Sequence, residues 1–281
     1  MSESRERIKK WLPDPLWEAG RSSWYALYRA AQWPAATFHP WRRASLRQLG
    51  AYKNIHQGKR CFILGNGPSL KQTDLSPLKG EFTFGMNRIY LLFSELGFMT
   101  TYFLSVNDLV IEQCIEEILG LPIPKFLSWR SHKFLLGSFA RSDGSLVEKQ
   151  IVFLHTTYTG PRFAPDARQR LWEGATVTYV ALQLAFHMGF DPVILIGVDH
   201  SFTSQGKPNT TVVSRGDDPD HFDSRYFGAG FRWQLPDLEM SEQAYTMARR
   251  AYENAGRRVL DATIGGKLTV FPRIDYKALF A

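Results

Sequence analysis

The chain has 281 residues, of which 44% are apolar and 22% charged, with a net charge of +7. This is the make-up of a folded protein with one large core, or one domain with an appendage. No uncharged apolar run approaches the roughly eighteen residues that a membrane helix needs. The charged stretch Met1–Lys10 has no apolar segment behind it, so a secretory leader is not expected. Cys61 and Cys114 are the only cysteines, which speaks against a disulfide framework or a zinc site and suits a reducing cytoplasm.

The basic excess sits at one end. Residues 1–60 hold twelve Lys/Arg against four Asp/Glu, and the remainder of the chain is close to neutral. Trp11, Trp17, Trp24, Trp33 and Trp41 share that segment. The interruptions at Pro13, Pro15, Pro34 and Pro40 predict two or three short helices over residues 1–57. Two readings of this extension stand. It lies on an anionic membrane surface, or it is a helical cap whose tryptophans pack on the core. Nucleic acid is not an expected partner, because the rest of the chain carries no basic excess.

From residue 58 the pattern changes. Apolar β-type runs occur at 60–65, 82–86, 101–106, 151–154, 193–197 and 257–260. Helical spacing occurs at 88–97, 108–119, 176–189 and 240–255. The 176–189 segment is the clearest helix: Val177, Val180, Ala181, Leu184 and Met188 share a face, Thr176 can cap its start and Gly189 its end. Continuous apolar strands alternating with helices predict an α/β fold, a Rossmann-like parallel sheet with helices on both faces, over 58–281. Residues 200–238 break the rhythm. They are polar and rich in Gly, Asp and Pro, yet carry Phe202, Phe222, Tyr226, Phe227, Phe231 and Trp233. A connection of this length and aromatic content predicts a lid over a binding site.

In an open parallel sheet, ligands bind outside the carboxyl ends of the strands. The residues that follow the predicted strands are therefore the candidate site. They are Gly65-Asn66-Gly67-Pro68-Ser69, Asn87, Asn107-Asp108, His155 with Thr156-Thr157-Tyr158, Asp199-His200-Ser201, and Asp261-Ala262-Thr263 with Gly265-Gly266. Every strand delivers a short hydrogen-bonding side chain to one edge, which predicts a shared polar pocket that also takes in Thr176. The glycines of the first turn let backbone approach a ligand closely, and outward N–H groups there would hold a phosphate. The turn matches neither the dinucleotide glycine fingerprint nor the phosphate loop, because Lys71 is misplaced for the latter.

His200 and His221 are the candidate general bases, because imidazole titrates near neutral pH. His221 lies in the aromatic lid with Tyr226 as a potential partner, and Asp199 is placed to anchor the His200 loop. The acidic run Asp217-Asp218-Pro219-Asp220 reads as a solvated turn in preference to a divalent-ion site. No zinc spacing is present, and no Gly-x-Ser-x-Gly elbow supports a hydrolase triad.

Three segments together resemble a known group: Ile63–Leu70 with Asp74; Gly174-Ala175-Thr176 through Met188-Gly189-Phe190 to Gly197-Val198-Asp199; and Asp261–Leu268. They are similar to 6-hydroxymethylpterin diphosphokinase-like domains. The first two also resemble the bacterial sialyltransferases that use CMP-activated sugars. The sialyltransferase resemblance implies a metal-free transfer from a CMP-sugar. Asn66, Asn87 and Asn107 would contact the nucleotide, and a lid histidine, His221 by position, would be the base. Tyr226-Phe227-Gly228 is followed here by Ala229 where that group has its histidine. The diphosphokinase resemblance implies ATP with Mg²⁺, with Asp108, Asp199 and Asp261 as available carboxylates.

The expectation drawn from residues and resemblance together is a cytoplasmic nucleotide-dependent transferase, peripheral on the inner face of the membrane. The favoured form is a glycosyltransferase moving a sugar from a CMP-activated donor to a surface-glycan or lipid-linked acceptor. Its nucleotide site would comprise Gly65, Asn66, Gly67, Ser69, Asn87, Asn107, Asp108, Thr176, Asp199, Thr263 and Gly265, and its chemistry would use His221, Tyr226 and His200. A Mg-ATP diphosphokinase and a non-catalytic nucleotide-binding module are the alternatives.

Overall fold

The computed structural model describes residues 14–139, 146 and 148–281. Trp11 and the charged stretch Met1–Lys10 lie outside the described residues, as does the side chain of Trp17. Helix α1 spans Asp14–Phe38 and α2 spans Pro40–Tyr52. Pro34 is accommodated inside α1, and His39 caps α2 with its ring accepting from the Trp41 amide. Two helices thus form among the described residues, within the expected count, and they are longer than the prolines suggest. Pro40 sits in the first turn of a helix, where its missing N–H is not needed.

The sheet is built from β1 (Cys61–Leu64), β2 (Phe82–Met86), β3 (Tyr102–Ser105), β4 (Lys125–Ser128), β5 (Ile151–Leu154), β8 (Val193–Ile196) and β11 (Val259–Asp261). All neighbours run parallel, in the order β11-β8-β1-β2-β3-β4-β5. The strands are short and buried, and successive side chains alternate between two cores. Cys61 and Ile63 join Leu49, Leu184, Met188 and Tyr252 on one face. Phe62 and Leu64 join Val110, Ile118 and Leu135 on the other. Both faces are thus covered, as continuous apolar strands require.

The strands predicted from the sequence all form; β4 is the addition. Its sequence, Lys-Phe-Leu-Ser, places a lysine and a serine inside a sheet. Lys125 is buried, and its Nζ donates to the Leu121 and Ile123 carbonyls at 2.6 and 2.9 Å. Burial, aided by Lys149, pulls its pKa down to about 8.

Two short elements, β6 (Thr156–Thr157) and β7 (Leu171–Trp172), pair in parallel just beyond β5. Between the sheet strands lie α3 (Phe93–Leu96), α4 (Asp108–Gln113), α5 (Ile115–Gly120), α6 (His132–Phe139), α7 (Val177–Met188) and α8 (Leu238–Asn254). Thr176 caps α7 through the Thr178 amide, and Gly189 ends it in the left-handed conformation. The 200–238 segment carries an antiparallel hairpin, β9 (Thr211–Val213) with β10 (Arg232–Gln234). Phe222, Tyr226 and Phe227 are buried in the same core as β1 and β3.

α2 is part of the body. Leu49 is fully buried, the Ser45 hydroxyl accepts the Phe153 amide, and the Trp41 ring stacks on Phe153 at 6.1 Å. α1 differs: Trp24, Leu27, Trp33 and Phe38 are exposed. Trp41 thus packs on the core as the cap reading expects, whereas Trp24 and Trp33 do not. No helix among the described residues is long and apolar enough to cross a membrane.

Candidate active site

β1 is the strand at which the sheet order reverses: β2 to β5 follow on one side, β8 and β11 on the other. The crevice between the carboxyl ends of β1 and β8 is where such sheets take ligands. Here the turn after β1 meets the turn after β8 at van der Waals closeness. A Cβ on Gly65 would collide with the Gly197 carbonyl, and one on Gly67 with the Asp199 carboxylate.

Three amides of the turn are spent within the protein. Gly65 N–H donates to the Ile196 carbonyl at 2.7 Å and Gly67 N–H to the Gly197 carbonyl at 2.9 Å. Ser69 gives both its amide (3.2 Å) and its hydroxyl (2.7 Å) to Asp199. The expected phosphate cradle of Gly65, Gly67 and Ser69 is thus filled by the protein's own carboxylate. Burial raises the Asp199 pKa, while the Ser69 donors pull it back. Thr263 extends the same tie, its hydroxyl accepting the Val198 amide at 3.1 Å. The neighbouring Asp261 is fully buried and paired with Arg273 at 2.7 Å. Gly265 sits beyond, in an exposed turn with φ +65°.

Asn66 is different. Its carbonyl accepts the Phe222 amide of the lid at 2.9 Å, and its buried Oδ1 has no partner. Asn87, in the left-handed region at φ +53°, turns its side chain back along the sheet edge. Its Oδ1 accepts the Ser105 hydroxyl at 2.9 Å, and it also hydrogen-bonds the Tyr226 hydroxyl. The lid is pinned above these two asparagines. Arg88 donates to the Arg225 and Tyr226 carbonyls and lies over the Phe231 ring at 5.2 Å. Phe227 stacks between Phe231 and Trp233.

Within this closed lid, His221 Nδ1 lies 2.8 Å from Asp218 Oδ2. Its ring stacks face to face on Tyr226 at 4.0 Å, with Phe227 against it at 4.8 Å. Asp218 is itself fixed, because its carboxylate also accepts the Phe227 and Asp220 amides. Nε2 of His221 has no hydrogen-bond partner among the described residues. A carboxylate that fixes one ring nitrogen leaves the other as an oriented proton acceptor, the arrangement general-base histidines use.

The acidic run is therefore not a solvated turn. Asp218 and Asp220 are buried. Asp220 accepts from the amides and hydroxyls of Thr203 and Ser204. Burial works to raise its pKa, and these donors outweigh it and hold it below the usual carboxylate range.

The remaining candidates fall elsewhere. Tyr226 is fully buried, and burial pushes its hydroxyl well above the usual phenol range. Its ring lies flat against that of His221. His200 points away from the lid, with Nε2 on Glu242 of α8 at 2.9 Å and its ring against Tyr245. The Tyr245 hydroxyl meets Thr176 at 3.3 Å, so His200 and Thr176 share a second cluster on the α8 side. Asn107 spends Oδ1 capping α4 through the Leu109 amide at 2.9 Å. Asp108 accepts the Ser131 hydroxyl at 2.7 Å and pairs with Arg130.

Arg130 escaped the sequence reading because it follows the unrecognised β4. Its guanidinium reaches Glu173, Asp108, Thr156 and the Val106 carbonyl. Burial works against its charge, and Glu173 and Asp108 more than restore it. The signal available was positional: Trp129-Arg130-Ser131 directly after an apolar stretch.

The family described as 6-hydroxymethylpterin diphosphokinase MptE-like matches residues 42–205, from α2 to the turn beyond β8. The chain belongs to this family. The match takes in the Gly65–Ser69 turn, Asn87, Asn107, Arg130 and Asp199, and ends before His221. Comparison with curated proteins finds no match. One similar solved structure is the MAf glycosyltransferase from Magnetospirillum magneticum AMB-1, at 15% identity and a TM-score of 0.45. The similarity covers 95% of this chain but 43% of that one, so the chain spans less than half of the MAf protein.

Proposed function

We propose that this family member is a glycosyltransferase that moves a sugar from a CMP-activated donor to a glycan or lipid-linked acceptor. The observation that carries the proposal is the His221–Asp218 pair, with Nε2 unpartnered among the described residues, in a segment bonded through the Phe222 amide to Asn66, whose side-chain Oδ1 is itself unpartnered. With Nδ1–H donated to Asp218, Nε2 accepts the proton of the acceptor hydroxyl as its oxygen attacks the sugar. The electron pair of the breaking glycosidic bond leaves on the nucleotide phosphate. Asn66 and Asn87 bind the donor, and the Tyr226 face with the Phe227 edge excludes water around the imidazole.

The diphosphokinase reading suggested by the family needs carboxylates for Mg²⁺. Here Asp108 is committed to Arg130 and Ser131, Asp199 to Ser69, and Asp261 to Arg273. No group of three or more metal-ligating side chains lies among the described residues. These commitments favour the metal-free reading.

The exposed Trp24, Leu27, Trp33 and Phe38 of α1 support an acceptor held at an anionic membrane surface. A peripheral place on the inner, cytoplasmic face follows from that reading.

The test is a thermal-shift series with CMP, CMP-sugars and ATP, each with and without Mg²⁺. A ligand bound by the native state raises its melting temperature. CMP and one CMP-sugar are expected to raise it without metal, and Asn66→Ala to abolish the rise. Stabilisation by Mg-ATP alone overturns the proposal in favour of diphosphate transfer.

A further inference from the structure

Beyond β5 the chain gathers positive charge that nothing in the donor pocket explains. Arg29 comes from α1, Arg42 from α2 and Arg170 from the residue before β7. Arg29 donates to the Thr159 hydroxyl at 2.9 Å, and Arg170 donates to the Arg29 carbonyl at 2.9 Å and faces His155 Nε2 at 3.4 Å. Arg42 is buried, with only the Phe153 and Arg168 carbonyls as acceptors, and its Nε has no partner. Among the described residues none of these guanidinium groups pairs with a carboxylate. The nearby acids are already committed: Glu173 and Asp108 to Arg130, and Asp166 to Arg168 and Lys53.

The cluster registers the imbalance. Burial first, then Arg170, Arg42 and Arg130, drive the His155 pKa down to about 3. Arg170 is itself lowered by burial and by Arg29. Like charges drawn together in a half-buried place cost free energy unless an anion joins them. Arg29 and Arg170 are only partly buried, and each keeps donors unused, Arg29 beside the Thr159 hydroxyl and Arg170 beside His155.

We propose that Arg29 and Arg170, with Thr159 and His155, form a phosphate-binding subsite where α1 crosses the β5–β7 end of the sheet. Paired guanidinium forks match the tetrahedral oxygens of phosphate. The subsite does not depend on the identity of the donor and lies apart from Asn66. Its phosphate is either free in solution or borne on a lipid headgroup.

The experiment uses the full chain. Inorganic phosphate and pyrophosphate are titrated by calorimetry and thermal shift, and the His155 ring is followed by NMR. Saturable binding with an upward shift of the His155 titration is expected. The Arg29→Gln/Arg170→Gln double variant should weaken binding at least tenfold, Arg170→Lys should retain part of it, and Asn66→Ala should retain all of it. Sedimentation with phosphatidylglycerol and phosphatidylcholine vesicles separates the sources. Loss of phosphatidylglycerol binding in the double variant assigns a headgroup, and unchanged sedimentation with lost phosphate binding assigns a soluble phosphate. The absence of any phosphate, pyrophosphate or vesicle binding overturns the subsite, as does phosphate or pyrophosphate binding that survives the double variant or disappears with Asn66→Ala. Because the His155 measurement needs only the wild-type protein, a misfolded variant does not remove the test.

Discussion

Two polar clusters sit side by side at the carboxyl edge of the sheet, and they are finished differently. Around Asp199, every donor and acceptor described is answered within the protein: Ser69 by Asp199, Val198 by Thr263, Asp261 by Arg273. Around His221, the ring is fixed at one nitrogen and open at the other, and Asn66 Oδ1 is buried without a partner. A saturated cluster holds strand ends together. An unsaturated one, kept in a fixed geometry, is prepared for something else to complete it. Polar residues at strand ends are therefore not equivalent evidence for a site; their unspent valences are.

The contrast breaks most visibly on His221. Replacing it with alanine is expected to lower turnover by about 10²–10⁴-fold, the usual worth of a general base, with little loss of stability. A single-turnover assay with a CMP-sugar would show this, and unchanged turnover would reduce the lid cluster to architecture as well. Asp199→Ala should behave in the opposite sense. It strands the Ser69 amide and hydroxyl at a cost of about 1–3 kcal/mol, read as a melting temperature lower by several degrees, while CMP affinity stays unchanged.

The His155 end of the sheet extends the comparison to pH. Its imidazole has a folded pKa of about 3, against 6.5 for the ordinary group. Between these values the unfolded chain binds the extra proton, so stability is complete above pH 6.5 and falls as pH drops toward 3. The slope is at most about 1.4 kcal/mol per pH unit. His155→Gln should flatten that limb in urea titrations at pH 7 and pH 5. The smallest effect is expected from Ser105→Ala. It removes one hydrogen bond to Asn87, worth about 1 kcal/mol, and should weaken CMP binding severalfold through a less well-oriented asparagine.

Much of the fold was legible because its strands are unbroken apolar runs and its best helix carries both caps. β4 was hidden by Lys125 and Ser128, whose burial depends on the Leu121 and Ile123 carbonyls that only the folded chain supplies. Arg130 was hidden with it. In the site, the positions of Asn66, Asn87 and His221 could be read from strand ends and lid composition. The consumption of the Gly65–Ser69 amides could not, because the group that fills the turn lies 130 residues away. The Asp218–His221 spacing was visible, but a run of acids gives no sign that it will be buried and used for internal hydrogen bonds.

The bond from the Phe222 amide to the Asn66 carbonyl joins the residue after His221 to the turn that follows β1. Any motion that lifts the lid from the sheet edge must break it, and in the same movement withdraws His221 and loosens Asn66. Under the proposed function, donor capture and proton removal would share one mechanical coordinate. Hydrogen exchange at the Phe222 amide would act as a clock for it, with slow exchange marking an assembled site and fast exchange an emptied one.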